Sequence, residues 1–346
     1  MVFGMMDCRL TLGKADGGFM HVLITGAAGM IGRKLTRRLV DLGGLNGEPI
    51  DKLTLIDVIA PTRPAGFTGR VTARAADLSE TTESARAVSG RPDVIFHLAS
   101  IVSGEAETNF DKGYQINLIG MLGLIEGIRR IGDGYHPKFV FTSSIAVFGA
   151  PFPQSIPDEF HLTPLTSYGT QKAVCELLLA DYTRKGFLDG VGVRLPTICV
   201  RPGRPNAAAS GFFSSIIREP LAGQETVLPV SESVRHVHAS PRSAVGFLIH
   251  AAELSKEEVG PRNSLTMPGT SCTVGEQIEA LRRIAGDRVV SLIRREPDPM
   301  IMRIVSGWAQ CVDAKRARAL GFKSESSFDE IIRTHIEDEL EGRIAA

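Results

Sequence analysis

The chain has 346 residues, 43% of them hydrophobic, and its 39 Lys plus Arg are balanced by 39 Asp plus Glu. That length suits one large or two fused globular domains, the composition allows a sizeable core, and zero net charge excludes a broad basic field for nucleic acid or an anionic membrane surface. No apolar run reaches the roughly 18 residues of a bilayer span, and five scattered cysteines (Cys8, Cys175, Cys199, Cys272, Cys311) without a C-x-x-C pair argue against a disulfide framework or metal site and predict a reducing, cytoplasmic setting.

Residues 1–19 are too polar for a signal peptide and read as a disordered leader without a function. His21 to Thr25 is a β-rich run ending at Gly26, followed by the loop Gly26, Ala27, Ala28, Gly29, Met30, Ile31, Gly32 and a helical pattern through Leu35, Leu39, Val40 and Leu42. Strand, glycine loop and helix in that order are the setting of a dinucleotide fingerprint: glycines let the backbone approach a pyrophosphate, and the helix start offers free N–H groups. The next strand, Leu53 to Val58, places Asp57 25 residues beyond Gly32. A carboxylate there accepts hydrogen bonds from ribose hydroxyls and repels a 2′-phosphate, which predicts NAD rather than NADP; Arg63 is read as a solvated loop residue, with a 2′-phosphate contact, and so NADP, as its alternative.

Arg74 to Ser79 places Asp77 and Leu78 near the adenine, with a helix N-cap as the other reading of Asp77. Asp93 to Ser100 is a buried strand opening into Leu98, Ala99 and Ser100, small enough for a backbone to pass under a ribose; His97 within it reads as a packed core histidine. Lys138 to Ser144 is a strand ending in the hydroxyls of Ser143 and Ser144, and ligands bind beyond the carboxyl ends of parallel strands. It leads into a proline-rich loop, residues 151–157.

Tyr168 and Lys172 are four residues apart, so a helix sets phenol and ammonium on one face, one turn apart. A neighbouring cation favours the phenolate and predicts a tyrosine pKa below its usual value of about 10, giving a base near neutral pH. Beyond residues 193–198, Arg201 to Asn206 is a Pro/Gly break, residues 207–217 a loop entering a helix, and two late helices fall near residues 274–284 and 328–340.

The glycine loop, Asp57, His97-Leu98-Ala99, Asn117, Ser143-Ser144 and Tyr168-x3-Lys172 together resemble the extended short-chain dehydrogenase/reductase family from about Met20 to Ile249. The resemblance implies a doubly wound parallel α/β sheet (Rossmann) over residues 20–195 and about 236–252, with residues 234–238 as a strand returning to it. A smaller α/β substrate domain then takes residues 196–235 and 253–346. Tyr168 would take the substrate hydroxyl proton, Lys172 would bind the nicotinamide ribose, and Ser144, or Ser143 one residue away, would hold the reacting oxygen. Asn117 would support the site, and NAD would touch Gly26, Gly29, Met30, Ile31, Gly32, Asp57, Asp77, Leu78, Leu98, Ala99, Ser100, Asn117, Tyr168, Lys172 and Pro196.

Family members that expel water carry paired carboxylates where this chain has Ile145 and Ala146, so dehydration is not expected. Residues 98–107, 168–172 and 194–208 are similar to members that oxidise the C2 hydroxyl of a small sugar acid. On that likeness Ser103, Ser144, Tyr168, Thr197, Asn206 and Arg235 are the substrate contacts, with Arg235 the carboxylate fork. A nucleotide-sugar epimerase is the alternative, with Arg235 and Arg294 or Arg295 on a diphosphate, and a cofactor sensor a third reading. The family also implies a homodimer through the helices near residues 115–130 and 172–185.

Overall fold

Val22 and Ile24 face one side of strand β1 (Met20–Thr25) and Leu23 the other, and all three are fully buried. Successive side chains of a strand alternate faces, so such a run belongs in a sheet covered on both sides. The computed structural model describes residues 20–203 and 210–344; the leader and Asn206 lie outside the described residues. After β1 come α1 (Met30–Leu42), β2 (Gly44–Leu45), β3 (Glu48–Asp57), β4 (Arg70–Ala75), α2 (Thr81–Val88), β5 (Val94–His97), α3 (Ser103–Thr108) and α4 (Phe110–Gly113). A π-helical turn (Tyr114–Ile119) leads into α5 (Gly120–Ile131), β6 (Lys138–Ser144), α6 (Ser167–Arg184), β7 (Asp189–Leu195) and β8 (Thr197–Ile198). The remainder is α7 (Gly211–Leu221), β9 (Thr226–Leu228), β10 (Arg235–Ala239), α8 (Pro241–Glu253), α9 (Lys256–Val259), β11 (Ser264–Thr266), β12 (Thr270–Thr273), α10 (Val274–Ala285), α11 (Asp287–Val290), β13 (Ile293–Arg295), α12 (Pro299–Val305), α13 (Lys315–Ala319) and α14 (Phe328–Glu339).

The main sheet runs β11-β7-β6-β5-β1-β3-β4 with every pairing parallel, and β2 adds antiparallel to β3. The order in which the chain adds strands reverses between β1 and β5, and the crevice beyond the carboxyl ends at that point is where such sheets take ligands. On one face Val22, Ile24, Leu55, Phe96 and Val140 pack with Leu35 and Leu39 of α1 and Leu248 of α8. On the other, Leu23, Ile95, Phe139 and Phe141 pack with Leu124 and Ile125 of α5 and Leu179 of α6.

A second core holds Phe213, Ile216 and Ile217 of α7 with Leu281 of α10 and Ile331 and Ile332 of α14. Beside it lie a three-stranded sheet, β12-β10-β8, and a parallel pair, β13-β9. Two placements differ from the sequence expectation. The strand read as returning to the main sheet, β10, pairs with β8 and β12, while β11, expected in the substrate domain, forms the edge of the main sheet beside β7. Both stretches are short, five and three residues, so periodicity does not say which neighbour they take.

Candidate active site

Gly26 turns the chain out of β1 at φ +72°, and a Cβ there would meet the Ala99 nitrogen at 2.7 Å; at Gly32 it would meet the Gly26 carbonyl at 2.2 Å. The loop is therefore closed to any larger residue at these points, and its backbone lies open to a ligand. No side chain caps α1, which starts after Gly29 with no acidic residue in its first turn. Its first N–H groups thus remain free at the positive end of the helix dipole, the arrangement that receives a phosphate.

One cavity of about 330 Å³ runs from this loop along Asp57, Asp77, Leu78, Leu98, Ala99 and Ser100. Asp57 Oδ2 accepts from the Ala28 nitrogen at 2.9 Å and Oδ1 from its neighbour Val58. Asp77 accepts from the Ser79 nitrogen, while Glu80 occupies the N-cap position of α2, so the capping alternative for Asp77 does not hold. His97 is buried with Nδ1 on Thr25 Oγ1 at 2.8 Å, and burial drops its pKa to about 3. It is a neutral core histidine, as its setting in the strand predicts.

The adjoining cavity, about 530 Å³, brings together Met30, Ile31, Ser103, Ser144, Tyr168, Lys172, Pro196 and Thr197. Thr166 caps α6 by accepting from the Gly169 nitrogen at 3.1 Å. A Cβ on Gly169 would meet the Ala146 carbonyl at 2.1 Å, so this glycine lets the helix start sit against the turn that follows β6. That approach places Tyr168 beside Ser144. Of the two serines, Ser143 is buried and donates to Glu176, itself held bidentately by Arg194. Ser144 accepts from the Ala146 nitrogen at 3.1 Å, which leaves its O–H proton for the Tyr168 oxygen beside it.

Lys172 is 2% exposed, and its Nζ donates to the Thr142 carbonyl at 2.8 Å, 5.5 Å from the Tyr168 ring centroid. Burial lowers its pKa to about 8. The expected depression of the Tyr168 pKa is reversed. Desolvation pushes the phenol up to about 12, and the opposing pull comes first from the Arg201 charge, then from the Ser144 and Ser100 hydroxyls. Loss of hydration outweighs these pulls, and the Lys172 ammonium, itself dehydrated, is turned toward the Thr142 carbonyl.

Asn117 lies in the π-helical turn, a distortion that favours functional positions. Its Oδ1 accepts from Ser100 Oγ (2.9 Å) and the Ile101 nitrogen (2.8 Å), and its Nδ2 donates to Gln171 at 2.7 Å. It thereby ties the β5 exit to the helix that carries Tyr168 and Lys172.

Thr197 is on the cavity wall, hydrogen-bonded to His236 Nε2 at 2.7 Å. His236 Nδ1 faces the Ala309 carbonyl at 2.7 Å and must donate to it. Nε2 is then the acceptor, Thr197 gives it a proton, and the Thr197 oxygen offers a lone pair to the cavity.

Arg235 is not brought to the cavity. It pairs with Glu276 at 3.1 Å and donates to the Ser271 carbonyl at the rim of β12, a cross-strand arrangement invisible in sequence spacing. Arg294 and Arg295 are likewise paired on the surface, with Glu225 and Glu296, and with Glu232. Sequence reading missed Arg201, which does line the cavity. Its one signal is that no Asp or Glu occurs between Asp189 and Glu219, so the arginine has no local partner. Among the described residues no group of His, Cys, Asp and Glu could hold a metal ion, and no helix is long and apolar enough to cross a membrane.

Residues 22–240 match the NAD dependent epimerase/dehydratase family. The chain is 46% identical over 323 residues to D-erythronate dehydrogenase of Cupriavidus necator, across 92% of this chain and 98% of that protein. It is 42% identical over 318 residues to D-erythronate dehydrogenase of Haemophilus influenzae, across 92% and 99%. A crystal structure from Agrobacterium tumefaciens, described as a nucleoside-diphosphate-sugar epimerase, is similar at 67% identity and a TM-score of 0.92, covering 96% of this chain and 99% of the other.

Proposed function

The chain belongs to the NAD dependent epimerase/dehydratase family and is an NAD-dependent oxidoreductase, and we propose that it oxidises the C2 hydroxyl of a small sugar acid, D-erythronate, to the 2-oxo acid. The observation that carries this reading is the convergence of Ser144, Tyr168 and Lys172 on one cavity beside the uncapped glycine loop. At 42–46% identity, two relatives named for D-erythronate supply the substrate.

Gly26, Gly29 and Gly32 with the start of α1 would hold the pyrophosphate, Asp57 the adenine ribose, and Lys172 with Pro196 the nicotinamide end. NAD supplies the hydride acceptor and, on its oxidised ring, a positive charge. Ser144 donates to the carbinol oxygen, and Tyr168 removes its proton as the C2 hydride leaves. Charge then builds on an oxygen held by two donors, which is where preorganised hydrogen bonds lower a barrier most. Lys172, fixed by the Thr142 carbonyl, keeps its remaining N–H groups for the ribose and phenol. Ile145 and Ala146 carry no transferable proton, which supports plain hydride transfer over elimination of water.

The description of the Agrobacterium relative favours a second reading, a nucleotide-sugar epimerase. Against it, the arginines first considered for a diphosphate, Arg235, Arg294 and Arg295, all engage surface carboxylates. Incubation with NAD and D-erythronate is expected to release NADH in step with substrate, and Tyr168→Phe to lower kcat by about 10²–10⁴. Turnover of a UDP-sugar without net NADH, and none of the acid, would select the epimerase. We place the enzyme in the cytoplasm as a homodimer through α5 and α6, where Leu177 is 65% exposed on the outer face of α6.

A further inference from the structure

Arg201 enters the cavity that holds Tyr168 from the segment after β8, and among the described residues it has no acidic partner. Its Nε donates to the Ile198 carbonyl at 3.0 Å and its Nη2 to Ser210 Oγ at 2.6 Å, while Nη1 makes no hydrogen bond to a described residue. Residues 204–209 contain no Asp or Glu that could serve it. Nearby arginines are treated differently: Arg194 is neutralised by Glu176 and Arg218 by Glu219. A guanidinium drawn out of water without a counter-ion costs stability, and a bound anion offsets that cost.

The position also fits one class of anion. In a 2-hydroxy acid the carboxylate is bonded to the reacting carbon, so its anchor must stand next to the base that takes the hydroxyl proton. Arg201 meets this condition: it lines the same cavity as Ser144 and Tyr168, and its charge favours ionisation of Tyr168. Arg235, paired at the rim with Glu276, does not meet it. The two fixed hydrogen bonds orient the guanidinium plane and leave Nη1 without a hydrogen bond to a described residue, and a planar fork matches a carboxylate.

We propose that Arg201 is the residue that holds the substrate carboxylate and sets the preference for 2-hydroxy acids, an inference that rests on the sugar-acid reading above. An uncharged substrate of the same shape gains nothing from it. Nor does the anchor need the cofactor in place, since all its supports belong to the protein.

The test uses the full chain, its Arg201→Gln and Arg201→Lys variants, and two probes, D-erythronate and its primary amide. Steady-state kinetics at saturating NAD are paired with calorimetric titration of the acid into NADH-loaded protein, where no turnover occurs. Loss of one partner of a buried charge pair predicts a rise in KM and Kd for the acid on the order of 100-fold in Arg201→Gln, with an intermediate rise in Arg201→Lys. NAD affinity should stay within about twofold, and the preference for acid over amide, large in the natural protein, should vanish in Arg201→Gln.

Acid affinity retained within about threefold in Arg201→Gln, with its melting temperature unchanged, would overturn the proposal. Equal binding of acid and amide to the natural protein would do the same without any variant, should Arg201→Gln fail to fold. The sugar-acid reading fails separately. If the natural protein binds the acid through Arg201 but forms no NADH, the anchor stands and the assigned reaction falls.

Discussion

Lys172 and Tyr168 respond to burial in opposite directions on the pH axis. Desolvation disfavours the charged form of each, so the ammonium falls from 10.5 to about 8 and the phenol rises from 10.0 to about 12. Between about pH 8 and 10.5 the unfolded chain keeps a proton on Lys172 that the folded chain releases, so stability rises with pH through that window. Tyr168 acts the other way: its contribution is complete below pH 10 and is lost as pH rises through about 12. Lys172→Met should remove the first slope. Urea midpoints of the two proteins at about pH 7.5 and 9.5 are expected to show the natural protein gaining on the order of 2 kcal/mol relative to the variant. Parallel pH dependences would count against a charged lysine buried at this site. These residues are legible in the sequence because their chemistry is a local spacing. Arg201 is not, because its significance lies in carboxylates that stay away from it in three dimensions.

At the level of elements, strands and helices with strong patterns appear where their sequences place them, β6 at Lys138–Ser144 being the clearest. Helix α6 starts at Ser167, where Thr166 caps it, and carries Tyr168 and Lys172 one turn apart as their spacing predicts. The π-helical turn at Tyr114–Ile119 has no such signature, although it is what lets Asn117 reach both Ser100 and Gln171. Nor does the sequence disclose how closely α6 approaches the turn after β6, a distance set by Gly169. Gly169→Ala is predicted to force Tyr168 away from Ser144 and to cost about 1–3 kcal/mol of stability, as inserted atoms do in a packed interior. A fall in kcat of at least about tenfold with NAD affinity retained is the expected kinetic result, since a small misplacement at the reacting oxygen is costly. Normal turnover in a variant of reduced melting temperature would show that the contact is structural only.

Across the whole molecule, the two cavities meet at Gly26, Gly29, Leu98, Ser100 and Ile101, so one crevice runs from Asp57 and Asp77 to Ser144 and Tyr168. Its floor is the main sheet, and one wall comes from β8, β10 and the segment around Trp308. The sequence makes the floor legible, since every loop that forms it follows a strand with a recognisable pattern. The wall is assembled by pairings across 39 and 73 residues, Thr197 with His236 and His236 with Ala309, which no local pattern encodes. A ligand spanning such a crevice should stabilise the folded chain by mass action, about 2.7 kcal/mol at 100 times its Kd. Thermal unfolding with NAD should therefore shift upward by several degrees, and with NADP far less, because the Asp57 carboxylate would face a 2′-phosphate. Asp57→Ser is predicted to shrink the difference by lowering the NAD shift and raising that of NADP. Equal shifts with both cofactors in the natural protein would mean that Asp57, held on the Ala28 nitrogen, does not read the ribose at all.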